Sequence, residues 1–264
     1  MSESNEPTEL LIQKRDWQTI LERLRAGNIS ASQKFAVGGR KSGLLPLAAA
    51  DNATELALYL IANGADVNEK FYGMTALLDA CERQNHSLID ALVLAGVDLN
   101  QKSPKSGGEA DETPLMASAE KCDAWAVERL LDAGADATLL TCRQQSAIHY
   151  ALMFYATNPR PKLEATQIVN ALLAARCPLL GTEIHFATHV RDPAMVQLLL
   201  DHGSPVDVAF PRNEENGPRK GQTPLDSVVK ENSIDLVGGD FGFEHTDRRR
   251  DEIKNLLLAA SGMA

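Results

Sequence analysis

Two histidines, His185 and His189, stand four residues apart in HFATH. That spacing puts two imidazoles on one face of a helix, where they can grip a metal ion. The Glu of an HExxH motif is absent and no third ligand follows closely. His185 and His189 are therefore the residues on which any small-enzyme or metal-binding reading would rest, and they make a weak one. The four Cys, at 81, 122, 142 and 177, form no CxxC pair and read as reduced thiols. DFG at 240–242 copies a kinase triplet, but no Gly-rich strand loop, VAIK lysine or HRD segment accompanies it. GGRKSG at 38–43 lacks the spacing of a phosphate-cradling loop, and no GxSxG elbow presents a serine nucleophile. The residues thus predict no enzyme, no metal and no cofactor.

Composition narrows the partners. The chain has 264 residues, is 44% apolar and carries a formal net charge of −10. The apolar fraction is enough for a folded core. The acidic balance disfavours nucleic acid, whose phosphates need clustered Lys and Arg. It favours a basic protein partner through electrostatic steering. No run approaches the roughly 18 apolar residues of a membrane span, so no membrane contact is expected. The start MSESNEPTELLIQKRDW lacks the charged-then-apolar order of a signal peptide. A cytoplasmic chain, monomeric alone, is the expectation.

The elements that would carry any site repeat. GADVN at 64–68, GVDLN at 96–100 and GADAT at 134–138 each follow a helix-period apolar stretch. Gly in that place ends a helix in the left-handed conformation. Downstream of these loops, LPLAAA, TALLDA and TPLMAS recur, followed by the weaker SAIHYA, TEIHFA and TPLDSV. The aligned apolar anchors are Leu47, Leu77, Leu115, Ile148, Ile184 and Leu225. A Thr or Ser ahead of them caps a first helix, and a Pro fits its first position, where a missing N–H costs nothing. A second helix supplies a Leu-rich stripe and ends at Gly.

These motifs, recurring in order with a period near 33, resemble the ankyrin repeat family. The resemblance implies an all-α solenoid of about six to seven helix-turn-helix units joined by short β-turn hairpins. Residues 1–7 are expected to be a disordered tail and 8–39 a degenerate capping helical pair. The array then fills 40–264, with units near 40–69, 70–102, 108–139, 141–180, 181–209 and 219–264. His149 and His185 fall in the His slot of the family pattern, where a structural hydrogen bond is usual.

The resemblance also implies a function: binding another protein through the turn tips and the concave face of the first helices. Slot by slot, that face comprises Lys41, Leu44, Phe71, Tyr72, Met74, Glu82, Arg83, Glu112, Glu120, Lys121, Arg143 and Gln145. Phe71, Tyr72 and Met74 are large apolar residues on a turn that should face solvent, which suits an anchor. Departures from the period add candidates. FYATNPRPKLEAT carries two prolines that interrupt a helix, and DLVGGDFGFEHTDRRR is the longest insertion. Phe154, Tyr155, Phe241 and Phe243 are their aromatic residues, expected on recognition loops. A stand-alone adaptor or inhibitor fits best; an exported effector that engages another organism's proteins is the second reading.

Overall fold

In the computed structural model, residues 6–104, 111–157, 162–210, 221–230 and 243–262 are described. Residues 1–118 with 125–136 form one compact unit, and residues 119–124 with 137–264 form the other.

The first unit opens with α1 (Thr8–Lys14) and α2 (Trp17–Arg25). A hairpin of β1 (Phe35–Val37) and β2 (Arg40–Ser42) leads into α3 (Leu44–Ala50) and α4 (Thr54–Ala62). The pattern repeats as β3 (Lys70–Phe71), β4 (Met74–Thr75), α5 (Ala76–Glu82) and α6 (His86–Leu94). It recurs once more as β5 (Ser103–Pro104), β6 (Asp111–Glu112), α7 (Pro114–Glu120) and α8 (Ala124–Asp132), of which residues 119, 120 and 124 are grouped with the other unit. First helices stack on first helices, α3 on α5, while second helices stack α2 on α4 on α6. The core is the seam between these two rows. Leu45, Leu77, Leu78, Ala80 and Cys81 are buried there against Leu56, Leu60, Leu88 and Leu92. Each fully buried Leu contributes about 1.5–3 kcal/mol, and the alanines let the rows approach closely.

The caps follow the sequence grammar. The Thr75, Thr113 and Ser146 hydroxyls each accept a backbone N–H three residues on, from Leu78, Met116 and His149. The loop asparagines explain the GADVN motif. Asn68 Oδ1 accepts the N–H of Asp98 and Asn100 Oδ1 that of Asp136, each at 2.8 Å, so one loop fastens to the next. One anchor is corrected. The first helix α3 begins at Leu44 after Gly43, as α5 begins at Ala76 after Thr75. Leu45, not Leu47, therefore holds the slot of Leu77, and the first spacing moves two residues closer to the regular period.

The second unit contains α9 (Ala147–Thr157), α10 (Lys162–Ala174), α11 (Glu183–His189), α12 (Pro193–Asp201), α13 (Pro224–Lys230) and α14 (Phe243–Ser261). Here α9, α11 and α13 stack in turn, and α12 packs on α14. At the shortened turn RCPLLGTE, Glu183 is fully buried and takes over the satisfaction of backbone and cap. It accepts hydrogen bonds from the Leu180 N–H (3.0 Å) and the Ser146 hydroxyl (3.2 Å). Burial pushes its carboxyl up from the usual range.

The aromatic insertion is corrected as well. Phe154 and Tyr155 belong to α9, which runs 11 residues where α5 has 7. Phe154 is half-buried and Tyr155 is buried. The helical period carries Tyr155 inward, where its hydroxyl donates to Asp192 Oδ2 at 2.8 Å. Lys162 donates to Asp192 Oδ1 at 3.0 Å, and the same oxygen caps α12 at Met195. Burial alone would raise the Asp192 carboxyl, but the Lys162 and Tyr155 hydrogen bonds hold it below its ordinary value. Burial, and then Asp192, push the Tyr155 hydroxyl up. Tyr155 is thus a structural strut. Tyr155→Phe should lower unfolding free energy by about 1 kcal/mol, read by urea unfolding; an unchanged midpoint would show that the bond carries no net stability.

Candidate functional site

The first two hairpins are built by their turn residues. In hairpin β1–β2, Ala36 pairs with Lys41 and Val37 with Arg40. Gly38 and Gly39 form the turn with φ +56° and +78°. Positive φ at both central positions gives the mirror-image turn that matches strand twist. In hairpin β3–β4, Phe71 pairs with Met74 around Tyr72 (φ +52°) and Gly73 (φ +85°). A tyrosine in that conformation is strained, so something must hold it.

Three contacts hold Tyr72. Its hydroxyl donates to the Gly38 carbonyl at 3.1 Å. Arg40 lies over its ring, 4.8 Å from the centroid, and the Phe71 ring meets it edge-on at 4.5 Å. Gly38 is needed twice, because a Cβ there would come within 2.6 Å of the Tyr72 hydroxyl. Even so, 52% of Tyr72 stays exposed. It is an aromatic side chain fixed in place with a bare face.

The charge around it is not that of the chain as a whole. Lys34, Arg40, Lys41 and Lys70 are all exposed on these hairpins and their approaches. Glu69 is nearly covered; it pairs with Lys34 at 3.1 Å and accepts the Gly43 N–H at 3.0 Å. Lys70 Nζ donates to the Lys102 carbonyl at 2.8 Å, while Lys102 pairs with Asp111 at 3.2 Å.

Of the residues expected on the binding face, Lys41, Tyr72 and Arg83 are exposed, and Phe71, Met74 and Glu82 are half-buried. Arg83 donates to the Ala50 carbonyl. Glu120 and Lys121 are half-buried and Arg143 is exposed. Three expectations are overturned by burial. Leu44 is 0% exposed, because the first position of α3 packs into the seam. Glu112 is equally covered, at the end of β6. Gln145 is buried and donates to His149 Nε2 at 2.8 Å, which leaves His149 Nδ1 to donate to Thr182 Oγ1 at 3.1 Å. Phe154 and Tyr155 are helical, as above. Phe241 lies outside the described residues, and Phe243 opens α14.

The histidine pair is not an open chelate. His185 is fully buried, and its Nε2 donates to the Val208 carbonyl at 2.7 Å. Burial holds its pKa below the ordinary value, so the ring is neutral. His189 is half-buried one turn on. Among the described residues, no group of three or more His, Cys, Asp or Glu is placed to hold a metal ion. No helix among them is long and apolar enough to cross a membrane.

The sequence reading missed Arg40 and Asp79. Arg40 was legible beside the GG turn, but the turn's partner hairpin was not. Asp79 sits in the buried α5 slot that holds Leu47 in α3. A polar residue in an apolar stripe was the available signal.

Comparison with known proteins bears on the fold. No family model matches the chain. The human ASB11 ankyrin repeat domain superposes with a TM-score of 0.61 at 17% identity, covering 97% of this chain and 98% of that one. An ankyrin repeat domain from Acinetobacter baumannii gives a TM-score of 0.53 at 19% identity over 96% of each chain. The chain has the ankyrin-repeat fold. The human mitochondrial disaggregase is 27% identical over 257 residues, which is 93% of this chain and 34% of that protein. The chain thus spans about a third of that relative.

Asp79 supplies a test of the inner helix face. It is 8% exposed. Burial pushes its carboxyl from 3.8 up to about 6; Glu82 and Asp51 add repulsion and Arg83 opposes it. A raised folded pKa means stability that is complete below pH 3.8 and is lost as pH rises through about 6. Asp79→Asn should therefore be more stable than the parent at pH 7 by about 2–3 kcal/mol, with the gap closing near pH 4. Urea unfolding at both pH values checks this; a gap independent of pH would overturn it.

Proposed function

We propose that this chain is a protein-binding module, an adaptor or inhibitor that holds a protein partner against the hairpin tips and first-helix face of its first unit. The fold supports the class: short stacked helices present a rigid surface, so binding loses less conformational entropy than a flexible loop would. One observation carries the choice of face. Tyr72 is pinned by Gly38, Arg40 and Phe71 yet half exposed, which is the form of a pre-organised hot spot. Met74 and Phe71 border it, and Glu82 and Arg83 extend the face along α5.

The partner's charge follows from this face and not from the chain's total. The net charge of −10 favours a basic partner only for contacts that average over the whole chain. The same face serves a partner from the producing cell or, for an exported effector, from another organism.

Affinity capture of the tagged chain from its native cells, repeated in a foreign lysate, tests the reading. The parent should retain one stoichiometric protein. Tyr72→Ala with Met74→Ala should weaken its binding by about 30-fold or more, the cost of a hot spot, with unchanged helical circular dichroism. Equal retention by parent and variant would place the binding face elsewhere.

A further inference from the structure

The hairpin edge has the opposite sign to the chain that carries it. Arg40 and Lys41 flank the Gly38–Gly39 turn, and Lys70 begins the neighbouring hairpin. All three are exposed, and no carboxylate among the described residues forms an ion pair with any of them. Of the nearby acids, Glu69 pairs with Lys34 and Asp111 with Lys102, while Asp66 is exposed and accepts the Asn68 N–H, leaving three cations against one unpaired carboxylate. Glu112 is covered. In a chain of net charge −10, such a local excess of cations around a fixed aromatic ring sets the sign of the partner.

We propose that the edge formed by Arg40, Lys41, Lys70 and Tyr72 binds an acidic protein segment, rich in Asp and Glu, with an apolar side chain set against the Tyr72 ring. The inference rests on the reading of this edge as the binding face. Three considerations select a peptide over nucleic acid. Three cations are few for a polyphosphate strand, which exchanges many counterions on binding. A single exposed aromatic gives no run of stacking platforms. The acidic remainder of the chain repels an extended polyanion but tolerates a short acidic segment.

Fluorescence anisotropy with the full chain tests it. The probe is a labelled 12-residue peptide, about half Asp and Glu around two Leu, compared with its Asn/Gln counterpart and with single-stranded oligonucleotide of similar length. The acidic peptide should bind at least about tenfold tighter than the neutral one, and weaken as salt rises. Lys41→Glu with Lys70→Glu should abolish that preference, Lys41→Arg with Lys70→Arg should keep it, and circular dichroism should be unchanged in both. Equal binding of acidic and neutral peptides, tighter binding of the oligonucleotide, or indifference to charge reversal would each overturn the proposal. The captured partner separates this from failure of the binding face. If Tyr72→Ala with Met74→Ala releases the partner while charge reversal leaves it bound, the face stands and the acidic segment does not.

Discussion

A seven-residue helix is too short to persist in water, because its first turn fixes several dihedrals for one hydrogen bond. Every first helix of this chain's first unit is that short. They persist because their Leu and Ala faces are buried, with α3 packed on α4 and α5, and α5 on α6. Nearest-neighbour burial is the constraint on which the rest depends. It explains the buried alanines among the leucines, the Thr and Ser caps that let such short helices start cleanly, and the Asn68 and Asn100 bonds that tie successive loops. It also explains why the chain tolerates long departures from its period. An insertion between two helices leaves the neighbouring seams untouched.

The same constraint decides where individuality can reside. The seam positions are interchangeable apolar residues, so the distinguishing chemistry moves to the hairpins and the rim of the first helices. There the chain accepts strain. Tyr72 occupies a conformation suited to Gly or Asn, and the contacts that hold it come from the neighbouring hairpin and from Phe71. A residue held in that way is paid for by stacking, and its exposed ring is what the stack leaves for a partner. Asp79 is the other departure: a carboxylate in a slot the seam would fill with an apolar group, close enough to Glu82 and Asp51 for repulsion to raise it further.

Charge follows a related division. The excess of acids over bases is real for the chain, but a binding face experiences only its own neighbourhood. Around the first two hairpins Glu69 is engaged with Lys34 and the Gly43 N–H, while Arg40, Lys41 and Lys70 meet no carboxylate among the described residues: Arg40 lies over the Tyr72 ring and Lys70 donates to the Lys102 carbonyl. Composition reports the sum of these groups; stacking determines which of them reach the surface with charge to spare.

The repeat was legible in the sequence because its rules are local. A cap, an apolar pair and a terminating Gly lie within a few residues of one another, and six copies average out the noise. Thus Thr75, Thr113, Ser146 and Gly64 could be read without a structure. So could the Leu77, Leu115 and Ile148 anchors. Leu47 could not be told from Leu45, because LLPLAAA offers apolar residues at both places and no Thr to fix the frame. The left-handed residue in the turn inside each helix pair, Asn52, Gln84 or Cys122, is hidden because side-chain type does not announce it. What only the tertiary structure decided is which candidates are free. Leu44, Glu112 and Gln145 occupy slots that face solvent in a generic repeat but are covered here. The prolines that follow Tyr155 predict a loop, but an extra turn of helix carries it inward to Asp192. Exposure depends on the neighbouring repeat as much as on the residue, and that neighbour lies more than thirty residues away in sequence.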